Sequence, residues 1–146
     1  MSLVEAVLLV RDVMTSAVKT ARPDTSILDI VRKMNRFDIG SIVVVQGERP
    51  VGIITERDIL REIVEPCLDP TAVRAREVMS TPLITIDKDV GVEEAARLMA
   101  RRGVKRLPVV QGGRLVGIVT TTDLVKSVPS LMNALEELVP TRRPPE

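Results

Sequence analysis

The sequence predicts an α/β fold of the α+β kind, built from two tandem β-α-β-β-α units. Residues 11–60 align with residues 76–125 at a constant offset of 65 and without a gap, and 18 of the 50 aligned pairs are identical. In both copies, short β-branched runs alternate with stretches of helical period. Because each copy can bury only half of an apolar face by itself, the two are expected to pack on one another. The predicted divisions are a first unit over 11–65, a linker over 66–75, a second unit over 76–128, and a C-terminal helix and tail over 129–146.

The first unit opens with a short strand and an amphipathic helix. Val18–Ala21 is predicted as the strand, which the turn at Arg22-Pro23-Asp24 ends. Asp24, Thr25 or Ser26 can cap the helix that follows, because their side chains accept from the free N–H groups of a first turn. The helix itself is predicted from apolar residues at helical spacing, which are Ile27, Ile30, Val31, Met34 and Phe37.

A hairpin and a second helix complete the unit. Ser41–Gln46 and Pro50–Thr55 are apolar and β-branched, and a connection as short as Gly47-Glu48-Arg49 joins antiparallel strands. A helix is predicted from Glu56 to about Glu65, and two prolines break the linker that follows it.

The second unit repeats this order, and one further helix is predicted after it. The repeat places a strand at Leu83–Ile86, a helix from about Val90 to Arg102, a hairpin over Arg106–Thr120 and a helix from Thr121. Beyond Pro129, one more apolar stripe predicts a separate helix before a loose tail. Its residues are Leu131, Met132, Leu135, Leu138 and Val139.

Composition excludes several classes of function. The 146 residues carry a net charge of +1, which gives no global field for nucleic acid. With no His and the single Cys67, neither a zinc site nor a Ser-His or Cys-His nucleophile can be built from the usual residues. Cys67 also excludes an internal disulfide and fits a reducing cytoplasm. Phe37 is the only aromatic residue, so a bound base would have to lie between aliphatic side chains. We expect no membrane span and no signal peptide.

The most informative motif joins the last strand of each unit to the helix that follows. Gly52-Ile53-Ile54-Thr55-Glu56-Arg57-Asp58 recurs as Gly117-Ile118-Val119-Thr120-Thr121-Thr122-Asp123. The Thr and the Asp can cap the helix reciprocally. A helix N-terminus also presents free N–H groups to a phosphate, and a carboxylate in its first turn could accept both hydroxyls of a ribose. The motif by itself leaves capping and ligand binding both open.

These motifs together resemble those of a CBS-domain pair, also called a Bateman module. The resemblance rests on the Val13-Met14-Thr15 opening, the Leu107-Pro108-Val109-Val110 strand and the doubled Gly-Ile-x-Thr-x-x-Asp, and it covers residues 11–128. It implies two units related by a pseudo-twofold axis, with two candidate sites in the cleft between them. It also implies a regulatory adenosyl ligand, with AMP expected first, then ATP or ADP, or else S-adenosylmethionine.

Carried over position by position, the resemblance also implies the ligand-binding residues. Asp58 and Asp123 would bind ribose hydroxyls, with Thr55 and Thr120 beside the ribose and phosphates. The first-strand segment of one unit would meet the Thr-x-x-Asp of the other. The expected ligand-binding residues are Thr15, Thr20, Gly40, Ser41, Ile42, Ile54, Thr55, Arg57, Asp58, Ser80, Thr85, Lys105, Arg106, Leu107, Pro108, Val119, Thr120, Thr122 and Asp123.

The two implied sites differ in charge. Lys105-Arg106 stands where the first copy has Gly40-Ser41, and Arg57 has an uncharged counterpart in the second copy. With the units cross-paired, these three cations converge on the site of Asp58, and the site of Asp123 receives none of them. The charge pattern therefore predicts two unequal sites, one of which binds a nucleotide more tightly.

The expected partners follow from the resemblance and from the helical faces. The family implies a module that regulates an enzyme or a transporter, and no acid–base pair of an enzyme is recognisable in this chain. The apolar helical faces predict a homodimer, with Ala95 and Ala96 near the closest approach of the helices. The competing hypothesis is a protein-interaction scaffold that binds no nucleotide, in which the Thr-x-x-Asp motifs only cap helices.

Overall fold

The computed structural model describes residues 8–136, with side chains described up to residue 129. Within that range the chain forms two three-stranded sheets with helices packed against them. The elements in order are α1 (Val10–Val13), β1 (Thr20–Ala21), α2 (Ile27–Phe37), β2 (Ser41–Gln46), β3 (Arg49–Thr55), α3 (Glu56–Ile59), α4 (Ala75–Val78), β4 (Ile86–Asp87), α5 (Val92–Arg102), β5 (Arg106–Gln111), β6 (Arg114–Thr120) and α6 (Thr121–Glu136).

Both sheets have the same topology, which confirms the predicted β-α-β-β-α order. β1 lies parallel to β2 because α2 carries the chain back across the sheet, and β3 pairs with β2 as an antiparallel hairpin. The second sheet repeats this with β4, β5 and β6. Each hairpin has a register shift at the same repeat position, between Val44 and Val45 and between Val109 and Val110. The first strands are shorter than predicted, only two residues each.

α2 begins where one of the predicted caps places it, and α5 begins at Val92, two residues after the predicted start. Ser26 caps α2, and its hydroxyl accepts from the N–H of Asp29 at 3.2 Å. α2 ends at Phe37, and Asp38 then takes a left-handed conformation with a φ of 52°. In the second unit Gly103 takes the same place after α5, with a φ of 64°.

Two helices differ from the prediction. The helix expected over residues 56–65 begins as α3 and continues through Leu60–Val64 as a π-helical turn. The separate helix expected after Pro129 is wrong, because α6 continues through Pro129 to Glu136. A proline removes one N–H donor from a helix, and a local bend can accommodate that loss. Leu138, Val139 and the predicted tail lie outside the described residues.

The two units exchange their opening helices. Val10, in α1, is fully buried in the core of the second unit, where its N–H donates to the Val90 carbonyl at 2.7 Å. Ala75, in α4, is fully buried in the core of the first unit, where its N–H donates to the Thr25 carbonyl at 2.8 Å. The sequence repeats therefore do not coincide with the packed cores, since each core is completed by the other repeat.

Across residues 8–136, we find no helix with the length and apolarity that crossing a membrane requires.

Candidate functional site

The exchanged helices cross-pair the units, as the resemblance implies. After α1 the chain runs along the edge of β6, where Thr15 and Ile118 exchange both backbone hydrogen bonds at 2.9 Å. After α4 the chain runs along β3, where the N–H of Ser80 donates to the Ile53 carbonyl at 3.0 Å. The segment after each opening helix therefore lies beside the Thr-x-x-Asp motif of the other unit, and a cavity forms at each of these junctions.

The larger cavity, the Asp58 cavity, has a volume of about 430 Å³. That volume falls within the range of about 300–1,000 Å³ that is usual for small-molecule sites. It brings together seven of the predicted residues, with four others between them. Its lining residues are Gly40, Ile53, Thr55, Glu56, Arg57, Asp58, Ser80, Gly103, Val104, Lys105 and Arg106.

The smaller cavity, the Asp123 cavity, has a volume of about 250 Å³. Six predicted residues line it, together with the segment that follows α1. Its lining residues are Thr15, Ala17, Val18, Lys19, Ile39, Gly40, Ser41, Val43, Arg106, Ile118, Thr120 and Asp123. Gly40 and Arg106 line both cavities, so the two are neighbouring halves of one cleft.

The Thr and Asp of both motifs cap their helices. The Asp58 Oδ2 accepts from the N–H of Thr55 at 2.8 Å and from its hydroxyl at 3.1 Å. The Thr55 hydroxyl in turn accepts from the N–H of Asp58 at 3.3 Å. The Asp123 Oδ2 and the Thr120 hydroxyl make the same backbone bonds, at 2.9 and 3.1 Å. The capping interpretation is thus correct for both motifs.

Capping occupies only one oxygen of each carboxylate. The second oxygen of Asp58, Oδ1, lies 3.5 Å from the exposed guanidinium of Arg61. Asp58 is 7% exposed, and its bonds to Thr55 hold its carboxylate in one orientation in the lining of its cavity. Among the side chains that the structure describes, Oδ1 of Asp123 has no hydrogen-bond or ion-pair partner. The Oδ1 atoms of Asp58 and Asp123 can each accept further hydrogen bonds, so ribose binding is compatible with the cap.

The two cavities differ less in their charged lining residues than the sequence predicts. Arg57, Lys105 and Arg106 do line the Asp58 cavity together. The expectation that the other cavity receives none of these cations is wrong, because Arg106 reaches both cavities. Lys19, held over the Phe37 ring at 4.2 Å, adds a second cation to the Asp123 cavity. Glu56 adds a negative charge to the Asp58 cavity.

Eight predicted residues line neither cavity. Strand neighbours face opposite sides of a sheet, and this places the four aliphatic residues Ile42, Ile54, Leu107 and Val119 fully within the cores. Thr20 lies in the sheet of its own unit, opposite Val43, and lines neither cavity. Three more predicted residues lie outside both cavities. Thr85 directly precedes β4, which begins three residues later than predicted, Pro108 is buried and Thr122 is exposed.

The cavities also contain residues that the sequence analysis missed. Ile39 and Val104 occupy matching repeat positions and each lines one cavity, as do Ile53 and Ile118. The repeat offset was the signal that could have identified these pairs. Lys19 has no such signal, because its repeat partner is the uncharged Ile84.

The fold defines the chain as a tandem α+β module with a cleft between its two units, and comparison identifies the family. A model of the CBS domain matches residues 10–65 and again residues 75–130. The chain therefore belongs to the CBS-domain family, as a CBS-domain pair.

Curated relatives agree with this assignment. An uncharacterized protein of Methanopyrus kandleri is 41% identical over 129 residues, which cover 87% of this chain and 63% of that protein. The CBS domain-containing protein YhcV of Bacillus subtilis is 38% identical over 116 residues, covering 79% of this chain and 81% of YhcV. The chain spans less than two thirds of the length of the Methanopyrus protein and of several other relatives.

Solved structures show the same fold. A CBS-domain protein of Burkholderia ambifaria superimposes with a TM-score of 0.77 at 29% identity, over 83% of this chain and 93% of that one. The hexameric CBS-CP12 protein of bloom-forming cyanobacteria gives a TM-score of 0.76 at 30% identity, over 93% of this chain and 77% of that one.

Proposed function

We propose that this CBS-domain pair is a regulatory module that binds an adenosyl ligand in the cleft between its units and acts on a partner. One observation carries the proposal. The Asp58 cavity combines a buried carboxylate, the hydroxyls of Thr55 and Ser80, and the cations Arg57 and Lys105 within one volume of suitable size. Carboxylate and hydroxyl oxygens suit ribose, and cations suit phosphate. AMP is the ligand we propose first, followed by ATP or ADP and by S-adenosylmethionine.

The base would be held by aliphatic side chains. Ile53 and Val104 line the Asp58 cavity, and their repeat counterparts Ile118 and Ile39 line the other. Aliphatic side chains cover a flat ring by burying it, at roughly 25 cal/mol per Å² of apolar surface. This arrangement needs no aromatic residue, and it supports the proposal for a chain in which Phe37 is the only one.

The regulated partner would sense ligand occupancy through the cleft. The cleft is built from both units, so a ligand that contacts both stabilises one relative arrangement of them. An enzyme or a transporter is the kind of partner we propose, in the cytoplasm, and we propose no catalytic reaction for this chain.

Removing the ribose-binding carboxylate tests the proposal. A ligand present at about a hundred times its Kd stabilises a folded protein by about 2.7 kcal/mol. We expect wild-type protein to gain a thermal shift with AMP or ATP, and Asp58→Asn to lose most of it. Loss of the cap should cost the unliganded protein only about 1 kcal/mol. Differential scanning fluorimetry with a panel of adenosyl ligands measures both effects.

Asp29→Asn is a matched control for this experiment. Asp29 also lies in a first helical turn, three residues after a hydroxyl cap and three before an arginine, Arg32, but it lines neither cavity. Its ligand-induced shift should equal that of the wild type. Equal shifts in Asp58→Asn and wild type would reduce Asp58 to a cap. A complete lack of response to the panel would favour the interaction scaffold.

The apolar helical face favours self-association as a second property. Leu60 and Val64 are 61% and 58% exposed, and Val125 and Val128 in the other unit are 67% and 44% exposed. Leu60 and Val125 occupy matching repeat positions, and each lines an apolar groove between the two helices of its unit. Ala95 was expected at the closest approach of the helices, but it is fully buried in its own core. Ala96, which was also expected there, lines the groove together with Ala100.

We therefore expect a homodimer through this face, and the hexameric cyanobacterial relative supports self-association. Light scattering should return a particle of at least twice the 16.0 kDa chain mass. Leu60→Asp with Val125→Asp should return the monomer, because two charges would be buried without partners. Leu68→Asp is the control, since Leu68 is 48% exposed but lies in neither groove. A wild-type particle of single-chain mass at micromolar concentration would contradict the dimer.

A further inference from the structure

Arg106 is one guanidinium placed between two ligand cavities. It begins β5, is partly buried, and lines both the Asp58 cavity and the Asp123 cavity. Its repeat counterpart, Ser41, lines only the Asp123 cavity. The first repeat therefore has no cation at the position that matches Arg106, and the two cavities share this one arginine.

A hydrogen bond fixes the guanidinium at the wall between the cavities. Its Nη1 donates to the Gly40 carbonyl at 3.1 Å, across 66 positions of sequence. The same carbonyl accepts from the N–H of Glu56 at 3.1 Å. Gly40 also lines both cavities, so this anchoring point is itself part of the wall. Within residues 8–129 no other group accepts from the remaining N–H groups of Arg106, which can therefore donate to ligands.

The other lining charges cancel within each cavity. In the Asp58 cavity the formal charges of Arg57 and Lys105 equal in number those of Glu56 and Asp58, and the guanidinium of Arg61, outside the lining, lies 3.5 Å from Asp58 Oδ1. In the Asp123 cavity Lys19 is balanced by Asp123. Each lining therefore has a net formal charge of one positive unit, and in both cavities the guanidinium of Arg106 supplies it.

We propose that Arg106 makes anionic ligands in the two cavities compete, so that occupancy of one weakens binding in the other. A guanidinium presents a rigid planar fork, which can face one phosphate in bidentate fashion at a time. The second phosphate then meets a cavity without net positive charge and a neighbouring anion as well. Losing one charge-assisted contact weakens binding by about tenfold or more. The effect is reciprocal, because coupling between two binding equilibria acts equally on both.

This inference rests on the proposed function and adds a prediction about the ligand. The coupling acts through phosphate, so it should be present for AMP and larger for ATP. Adenosine has no phosphate and should occupy the two cavities independently.

Calorimetry with AMP on single-site variants tests the coupling. Asp123→Asn leaves the Asp58 cavity and Asp58→Asn leaves the Asp123 cavity, so each variant should bind one AMP per chain with its intrinsic Kd. Wild-type protein should bind its second AMP about tenfold more weakly than the weaker of these two constants. When Arg106→Ser is added to all three proteins, each site should bind AMP more weakly. The Kd of the second AMP should then equal the Kd of the weaker single-site variant. Lys105→Ser is the matched control, because Lys105 lines the Asp58 cavity but not the Asp123 cavity, so its loss should leave the coupling intact.

The outcomes separate the two proposals. Two wild-type steps that match the single-site constants would overturn the sharing of Arg106 and leave nucleotide binding standing. Coupling that persists in Arg106→Ser would also overturn it. An absence of AMP, ATP and adenosine binding in every variant would overturn the proposed function, and the coupling with it.

Discussion

Gly52→Ala and Gly117→Ala are expected to destabilise the protein strongly, although alanine is only one methyl group larger. A Cβ at position 52 would stand 2.5 Å from the Sδ of Met79 and 2.8 Å from its Cβ. A Cβ at position 117 would meet the Sδ of Met14 and, at 3.0 Å, the backbone carbonyl of Thr15. Carbon and sulfur atoms cannot approach this closely, so the exchanged segments would have to move.

The loss of folding stability arises because these segments connect the two cores. Met79 packs against the core of the first unit and Met14 against that of the second, so moving either disturbs an exchanged helix. Overpacking typically costs about 1–3 kcal/mol and sometimes more. We expect Gly117→Ala to cost more than Gly52→Ala, because a backbone carbonyl cannot move aside as a flexible methionine can.

Denaturant unfolding of a double-mutant cycle measures this effect. Gly52→Ala is made in wild type and in Met79→Ala, where the thioether that it meets is absent. Met79→Ala itself leaves a cavity and is expected to be destabilising. The free energy lost by adding Gly52→Ala should nonetheless be far smaller in that background. Additive losses, or an unchanged stability in Gly52→Ala, would show that the contact imposes no constraint.

The second large effect is expected on nucleotide affinity at the Asp58 cavity. Arg57→Ala and Lys105→Ala should each weaken AMP or ATP binding by about tenfold, and together by about a hundredfold, because each removes a charge-assisted contact to phosphate. Both side chains are exposed, so salt should screen them and weaken wild-type binding as well. This salt dependence should be smaller in the double variant.

Calorimetry in the Asp123→Asn background, at low and high ionic strength, isolates this cavity. Arg101→Ala is the control, because Arg101 is an exposed cation in the last turn of α5 that lines neither cavity. It should leave the affinity unchanged. If Arg57→Ala and Lys105→Ala behave like this control, phosphate is not held by these two cations.

The sequence by itself determined the local features of this protein. The two hairpins, a helix cap within residues 24–26 and the reciprocal Thr55–Asp58 bonds all join residues that lie close together in the sequence. Residue type and spacing are enough to specify such contacts, since the chain needs no distant partner to make them. The resemblance carried by the doubled motif likewise identified the family, which the match over residues 10–65 and 75–130 confirms.

Only the tertiary structure decided which residues share a cavity. The exchange of Val10 and Ala75 between cores sets the path of the segments that follow, and that path brings Lys19 to Asp123 while leaving Thr20 in its own sheet. The same packing carries Arg106 across 66 positions to Gly40, where it serves both cavities. Such contacts depend on how the two units are docked, and docking is set by the summed burial of both cores. A short motif carries no information about that total burial. The sequence analysis, which used only the aligned repeats, therefore assigned Arg106 to one site alone.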